Sequence, residues 1–161
     1  MTEGKRIQKQ AVSEIKAFPV PYALEEIKNN ILISTSNSSK PNKEQIIKKA
    51  IKFHLEGNIP EAVKFYQYCI KQGFNDPRVF ANYGKILISL RKLHEAELSQ
   101  RQAIELNPNF ADAHFNLGSV LKDLGKLKEA ELSLRKAIEL NPNFADAYLN
   151  LGSILKDLGK L

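Results

Sequence analysis

The sequence predicts an all-α chain, a solenoid built from antiparallel helical hairpins. Two observations predict it: a repeat period, and helical apolar spacing that is interrupted twice in every period. LHEAELSQRQAIELNPNF (93–110) returns as LKEAELSLRKAIELNPNF (127–144), with 15 of 18 positions identical. ADAHFNLGSVLKDLGKL (111–127) returns as ADAYLNLGSILKDLGKL (145–161), with 14 of 17 identical. Both offsets are 34 residues, and two independent strings that agree on one offset define a repeat. Earlier copies start at Pro77 (PRVFANYGKILISLRKL) and, more divergent, at Lys43 (KEQIIKKAIKFHLEGNI). The frames are therefore 43–76, 77–110, 111–144 and a half-frame, 145–161, that holds a first helix alone.

Each frame reads as two helices. In 111–144 the first carries Phe115, Leu117, Val120, Leu121 and Leu124 at i, i+3/i+4 spacing. Gly125 stops it, because glycine takes the positive φ at which a helix ends. The second runs from Leu127 through Ala130, Leu132, Leu134, Ala137 and Ile138 to Leu140. Asn141-Pro142 ends it, since a residue before proline is pushed out of helical geometry. Gly118, Ala130 and Ala137 are small where two helices must approach closely, and so are Gly84, Ala96 and Ala103. In the first frame Ala50, Ala62 and Cys69 fill those places, which makes Cys69 a packing residue rather than a reactive thiol. Pro60 suits the start of a helix, where no amide partner is lost.

These residues carry a resemblance. The 34-residue length, the ring at the fourth place (Phe80, His114, Tyr148), Tyr83-Gly84, Leu117-Gly118 and Leu151-Gly152, the alanines and the late Pro108 and Pro142 resemble the tetratricopeptide repeat. The first frame departs from it at Ile46, Lys49-Ala50 and Phe74. The resemblance implies a right-handed superhelix with one concave face, lined by the first helices, and a protein or peptide as partner. The repeats are similar to those of the O-linked N-acetylglucosamine transferases, notably in FADAYLNLGSILKD, and to those of bacterial proteins of this family.

Residues 1–42 stand outside the period. Ile7, Ala11, Ile15 and Phe18 share one helical face and Leu24, Ile27 and Ile31 another, with the polar STSNSSKPN (34–42) as a linker. A membrane anchor is the alternative, opposed by Glu14, Glu25 and Glu26. At the other end, the chain stops at Leu161 and leaves Leu151, Leu155 and Leu158 without the partner expected on one side. That predicts continuation in a longer protein, with self-association through the incomplete C-terminal repeat as the alternative.

Composition excludes several classes. The formal charge of +6 divides as +2 in each of 1–42, 43–76 and 77–110 and zero beyond, so no cationic face points to nucleic acid. No apolar run reaches membrane-spanning length, and one cysteine with no secretory leader predicts the cytoplasm. His54, His94 and His114 lack metal-binding spacing, with His54 and His94 expected in solvated places near helix ends. Glu95/Glu97 and Glu129/Glu131 read as a solvated helix face. No phosphate loop or nucleophile elbow occurs. The expectation is a non-enzyme without metal or cofactor.

The candidate site is a column of asparagines. Asn82, Asn116 and Asn150 hold one place on three successive first helices. An amide offers one acceptor and two donors, and can pair with both the C=O and N–H of an extended peptide. A similar ladder belongs to the transferase repeats named above; the alternative is that asparagine is simply a soluble choice there. Specificity would come from Arg78, Lys85, Lys122 and Lys156 on one side, Asp112, Asp123, Asp146 and Asp157 on the other, and Phe115. The carboxylate clamp of chaperone-binding relatives is not matched, since Ile47 and Ile51 in the first repeat, and Phe115, Asn116 and Ser119 in the third, stand at its positions. The leading function is a peptide-binding scaffold. A second reading makes the chain the recognition arm of a larger bacterial enzyme, because such repeats commonly precede glycosyltransferase or sulfotransferase domains.

Overall fold

The computed structural model describes residues 42–160. The N-terminal faces expected over 7–18 and 24–31 lie outside the described residues. All regular structure described is helical: α1 (Lys43–Leu55), α2 (Ile59–Lys71), α3 (Pro77–Ser89), α4 (Leu93–Leu106), α5 (Ala111–Asp123), α6 (Leu127–Leu140) and α7 (Ala145–Asp157). They fall into two units, one within Met1–Asn75 and the other within Asp76–Leu161.

The first unit holds the hairpin α1–α2. Asn42 opens α1 with a reciprocal cap: its Oδ1 accepts from Gln45 N at 2.9 Å and its own N–H donates to Gln45 Oε1 at 3.0 Å. Pro60 lies in the first turn of α2. Ile47, Ala50, Ala62, Phe65, Tyr66 and Cys69 are sealed from solvent, so Cys69 packs as expected. His54 corrects the solvated expectation. Its Nδ1 lies 3.4 Å from Tyr66 Oη, and the rings meet edge to face.

The second unit holds α3–α4, α5–α6 and then α7. Its helices pack in chain order, with α5 also against α3 and α7. First helices begin at Pro77, Ala111 and Ala145, each 34 residues after the last. Gly125 and Gly159 take φ of 75° and 65° at the turns that follow α5 and α7. At the matching turn after α3 the residue is Arg91, also left-handed at φ 59°. Asn107 and Asn141 are extended at the ends of α4 and α6, where their side-chain oxygens accept from Asn109 N and Asn143 N. The chain thus reaches α5 and α7 through an Asx turn rather than through a side-chain cap.

The core of the later hairpins joins Leu117, Leu121, Ala130, Leu134, Ala137, Ala147, Leu151 and Ile154. Leu132 does not join them; it is exposed on the outer side of α6. Leu151 is buried and Leu155 and Leu158 pack on the same core, so none of the three lacks a partner as the sequence reading expected.

The glutamates at 97 and 131 are the larger correction. They are 8% and 9% exposed, not a solvated face. Glu97 on α4 accepts from Arg101 one turn on (Nη2–Oε1 2.9 Å) and from Lys126 beyond α5 (Nζ–Oε2 2.8 Å). Glu131 repeats the pattern with Arg135 at 2.9 Å and Lys160 at 2.6 Å. Burial alone would raise the Glu97 carboxyl, but the hydrogen bonds and charges of Lys126 and Arg101 outweigh it and hold the group below its ordinary value. Hydrogen bonds from Lys160 and then Arg135 lower Glu131 likewise. Each triad ties a second helix to the turn after the next first helix, which fixes the register of successive hairpins. The first frame carries Val63 at the corresponding place and has no such acid.

Candidate functional site

Helical periodicity places the candidate residues. Asn82, Asn116 and Asn150 lie on α3, α5 and α7, the three first helices of one unit, at equal distances from each helix start. Asn116 is buried, whereas Asn82 and Asn150 are half-buried. The side chain of Asn150 has a defined setting. Its Nδ2 donates to Ser119 Oγ on α5 at 3.1 Å. Ser119 Oγ in turn donates to the Phe115 carbonyl at 3.1 Å. One amide N–H is thereby committed between α5 and α7, and the second N–H and the carbonyl oxygen remain for another partner. No hydrogen bond among the described residues joins the three amides to one another.

The flanking residues divide into tied and untied groups. Arg78 grips Asp76 with two donors, Nε–Oδ1 at 3.0 Å and Nη2–Oδ2 at 2.8 Å, while Asp76 Oδ1 also caps α3 through Arg78 N at 2.9 Å. Its guanidinium therefore serves the helix start first. Phe115 stacks on Phe144, with centroids 4.6 Å apart and planes tilted by 36°, so its ring closes the contact between α5 and the loop before α7. Lys85 is exposed and Lys122 half-buried on the same helices as Asn82 and Asn116. Asp123 is engaged by Arg91 at 3.1 Å.

Sequence reasoning missed Ser119 as the residue that sets the Asn150 amide. The signal was weak, since the two lie 31 residues apart and meet only when α5 and α7 are side by side. His114 was placed among packing rings, and it also holds the turn before it, with Nε2 at 2.8 Å from the Pro108 carbonyl. Among the described residues no group of three or more His, Cys, Asp or Glu side chains could hold a metal ion. No described helix is long and apolar enough to cross a membrane.

Three family profiles match, one described as TPR repeat over residues 118–159 and two as Tetratricopeptide repeat over 77–110 and 100–131. Together they span more than half of the chain. The chain belongs to the tetratricopeptide-repeat family. No curated protein sequence matches it. Solved tetratricopeptide structures do. The first TPR of Spaghetti (RPAP3), bound to the HSP90 peptide SRMEEVD, superposes with a TM-score of 0.68 and 26% identity, over 73% of this chain and 93% of that one. MamA gives 0.69 at 21% identity, over 98% and 84%. The Thermobaculum terrenum O-GlcNAc transferase gives 0.64 at 22% identity, over 70% of this chain but 22% of the enzyme. The last two likenesses are of fold alone. In this tetratricopeptide chain Gly118 is architectural, since it lies beneath Leu134 and the Ala130 carbonyl.

Proposed function

We propose that this chain is a protein-interaction scaffold that holds an extended peptide along its first helices, with repeats bounded at 43, 77, 111 and 145. Asn82, Asn116 and Asn150 hydrogen-bond the peptide backbone, while Lys85 and Lys122 favour acidic side chains and Phe115 and Arg78 shape the contact. The observation that carries this reading is the Asn150 amide, held to Ser119 with one donor and its acceptor still available. The relative at 26% identity bound to an HSP90 peptide supports a peptide as the partner class. It does not supply the ligand, because the clamp positions here carry Ile47, Ile51 and Phe115. Binding involves no catalysis by these residues, and the single buried Cys69 favours a cytoplasmic setting.

Selection from a random peptide library tests the reading. The unaltered chain enriches a set of peptides, and the triple variant Asn82→Ala, Asn116→Ala, Asn150→Ala binds that set at least about tenfold more weakly, or about 1.4 kcal/mol, with helical circular dichroism retained. Equal binding by the triple variant removes the ladder from the proposal. A second reading, the recognition arm of a larger glycosyltransferase- or sulfotransferase-type enzyme, rests on the fold shared with part of an O-GlcNAc transferase. The coding sequence flanking residues 1–161 tests it by the presence of a catalytic domain.

A further inference from the structure

The second helices α4 and α6 are near copies that differ at one sealed place. Over their 14 residues they diverge at three pairs, His94/Lys128, Gln100/Leu134 and Gln102/Lys136. His94 and Lys128 are exposed, and Gln102 and Lys136 keep part of their surface in solvent. Gln100 and Leu134 are both 0% exposed, so the interior tells the two helices apart at this pair. Gln100 lies over Gly84 of α3, where an added Cβ would stand 3.0 Å from its Cδ, as Leu134 lies over Gly118 of α5. Gln100 Nε2 donates to the Ala81 carbonyl at 2.9 Å, beside Ser99 Oγ on the Phe80 carbonyl at 2.9 Å. A carbonyl oxygen has two lone pairs. At Ala81 one serves the helix and the other takes Gln100, because Lys85, one turn on, has no hydroxyl to offer. The corresponding α5 carbonyl, that of Phe115, is already filled. One lone pair serves the helix and the other accepts from Ser119 Oγ at 3.1 Å. Ser119 stands where α3 has Lys85, and Asn150 Nδ2 holds its hydroxyl in place at 3.1 Å.

We infer that Gln100 is a pairing residue: it assigns α4 to the open carbonyl of α3 and keeps it off α5 of a second copy of the chain. Placed on α5, the Gln100 amide would be sealed over Gly118 against a carbonyl with no lone pair to spare. A buried donor without an acceptor has lost its hydration and gained no bond, which disfavours that hairpin roughly ten- to a hundredfold. A single buried amide is enough to specify which helices pair. Leucine meets no such barrier, since it asks nothing of either carbonyl. With leucine at position 100, α4 would fit α5 as α6 does, and a hairpin of one copy could take its second helix from another. Such exchange is a characteristic failure of repeat arrays. The salt bridges along these helices cannot prevent it, because Glu97–Arg101 and Glu131–Arg135 are the same pair twice. None of these groups has to reach a ligand, so the pairing role is separate from peptide binding.

Refolding of the full chain from urea over a range of concentrations, followed by sedimentation, tests the inference. Gln100→Leu copies Leu134 over the equivalent glycine, so helical circular dichroism is retained and the urea midpoint does not fall. Its oligomeric fraction at the highest concentration rises roughly tenfold over that of the unaltered chain. Gln102→Leu adds the same side chain where solvent reaches it, and leaves the fraction unchanged. An equilibrium cycle gives a second reading. Lys85→Ser supplies α3 with the hydroxyl that Ser119 supplies to α5, and so competes with Gln100 for the Ala81 carbonyl. It therefore lowers the urea midpoint of the unaltered chain more than that of Gln100→Leu. A Gln100→Leu oligomeric fraction no larger than that of the unaltered chain overturns the inference. So does an equal rise in Gln102→Leu, or a loss from Lys85→Ser that is the same in both backgrounds.

Discussion

The helices α5 and α7 share most of their residues, and the chain treats them differently. α5 has α6 folded over it, so Gly118 lies under Leu134 and Leu121 is sealed. α7 carries the same glycine and a leucine at the same place with open space above Gly152. A glycine that is a packing requirement in one hairpin is thus only a helix-weakening residue in the next. Repeat position determines which residue stands at a site, and the neighbouring helix determines what that residue is worth.

The leucine pair gives the largest expected contrast. Leu121→Ala empties a fully buried place and costs about 2–5 kcal/mol. Leu155→Ala, at the same repeat place but half-buried, costs about 1 kcal/mol by the apolar area removed. Urea unfolding midpoints of the two variants read the difference, and equal losses would mean that α7 is covered as fully as α5. The glycine pair comes next and differs in sign. Gly152→Ala gains about 1 kcal/mol of helix propensity with no clash. Gly118→Ala gains the same propensity but forces Leu134 aside, an overpacking cost of about 1–3 kcal/mol that leaves it destabilised or at best unchanged. If both substitutions stabilise, Leu134 has room that the packing around Gly118 denies.

What the sequence made legible follows from how local each cause is. Helix ends were readable at Gly125 and at Asn141-Pro142, because a positive φ and a pre-proline restriction act within one or two residues. The small places at Gly118, Ala130 and Ala137 were readable because they recur with the period. Burial of Glu97 and Glu131 was not, since their partners Lys126 and Lys160 lie 29 residues further on. A carboxylate on a helix looks solvated until the turn of the next hairpin closes over it. The same distance hid Ser119 behind Asn150. The column of asparagines itself was legible, while the serine that orients one of them belongs to a neighbouring helix. Leu132 misled for the opposite reason: it fits an apolar run, yet faces outward between two positions that face the core.

The ion pairs sharpen the comparison between hairpins that carry the triad and the first frame, which does not. Glu97 is held below its ordinary value of 4.5 in the folded chain, with burial opposing and the Lys126 and Arg101 hydrogen bonds prevailing. A depressed folded value means that the contribution is fully present above 4.5 and is lost as pH falls through the lower folded value. Chemical denaturation across this acid range should therefore show stability declining below pH 4.5. Glu97→Gln should flatten part of that decline. The partners Arg101 and Lys126 are 45% and 40% exposed, so the difference is about 1 kcal/mol or less. A Glu97→Gln profile parallel to that of the unaltered chain would show that the triad positions the hairpins without adding acid-sensitive stability.

The smallest effect separates the turn after α3 from the turns after α5 and α7. Arg91 stands at φ 59°, where Gly125 and Gly159 take 75° and 65°. An L-residue with a side chain loses about 1–2 kcal/mol in that region relative to right-handed geometry, and glycine does not. Arg91 also bridges Asp123 at 3.1 Å, but its side chain is 72% exposed, and such pairs are worth about 0–1 kcal/mol. Arg91→Gly therefore trades a weak bridge and some unfolded-state entropy for relief of the backbone, and the net change is within about 1 kcal/mol in its favour. Arg91→Ala removes the same bridge without relieving the backbone, so it should fall below Arg91→Gly by about 1 kcal/mol. Thermal midpoints of the two variants, measured side by side, isolate the backbone contribution because the lost charge is common to both. If alanine equals or exceeds glycine, the left-handed turn is held by something other than the freedom of its residue. The bridge to Asp123 would then be a consequence of the turn rather than compensation for it.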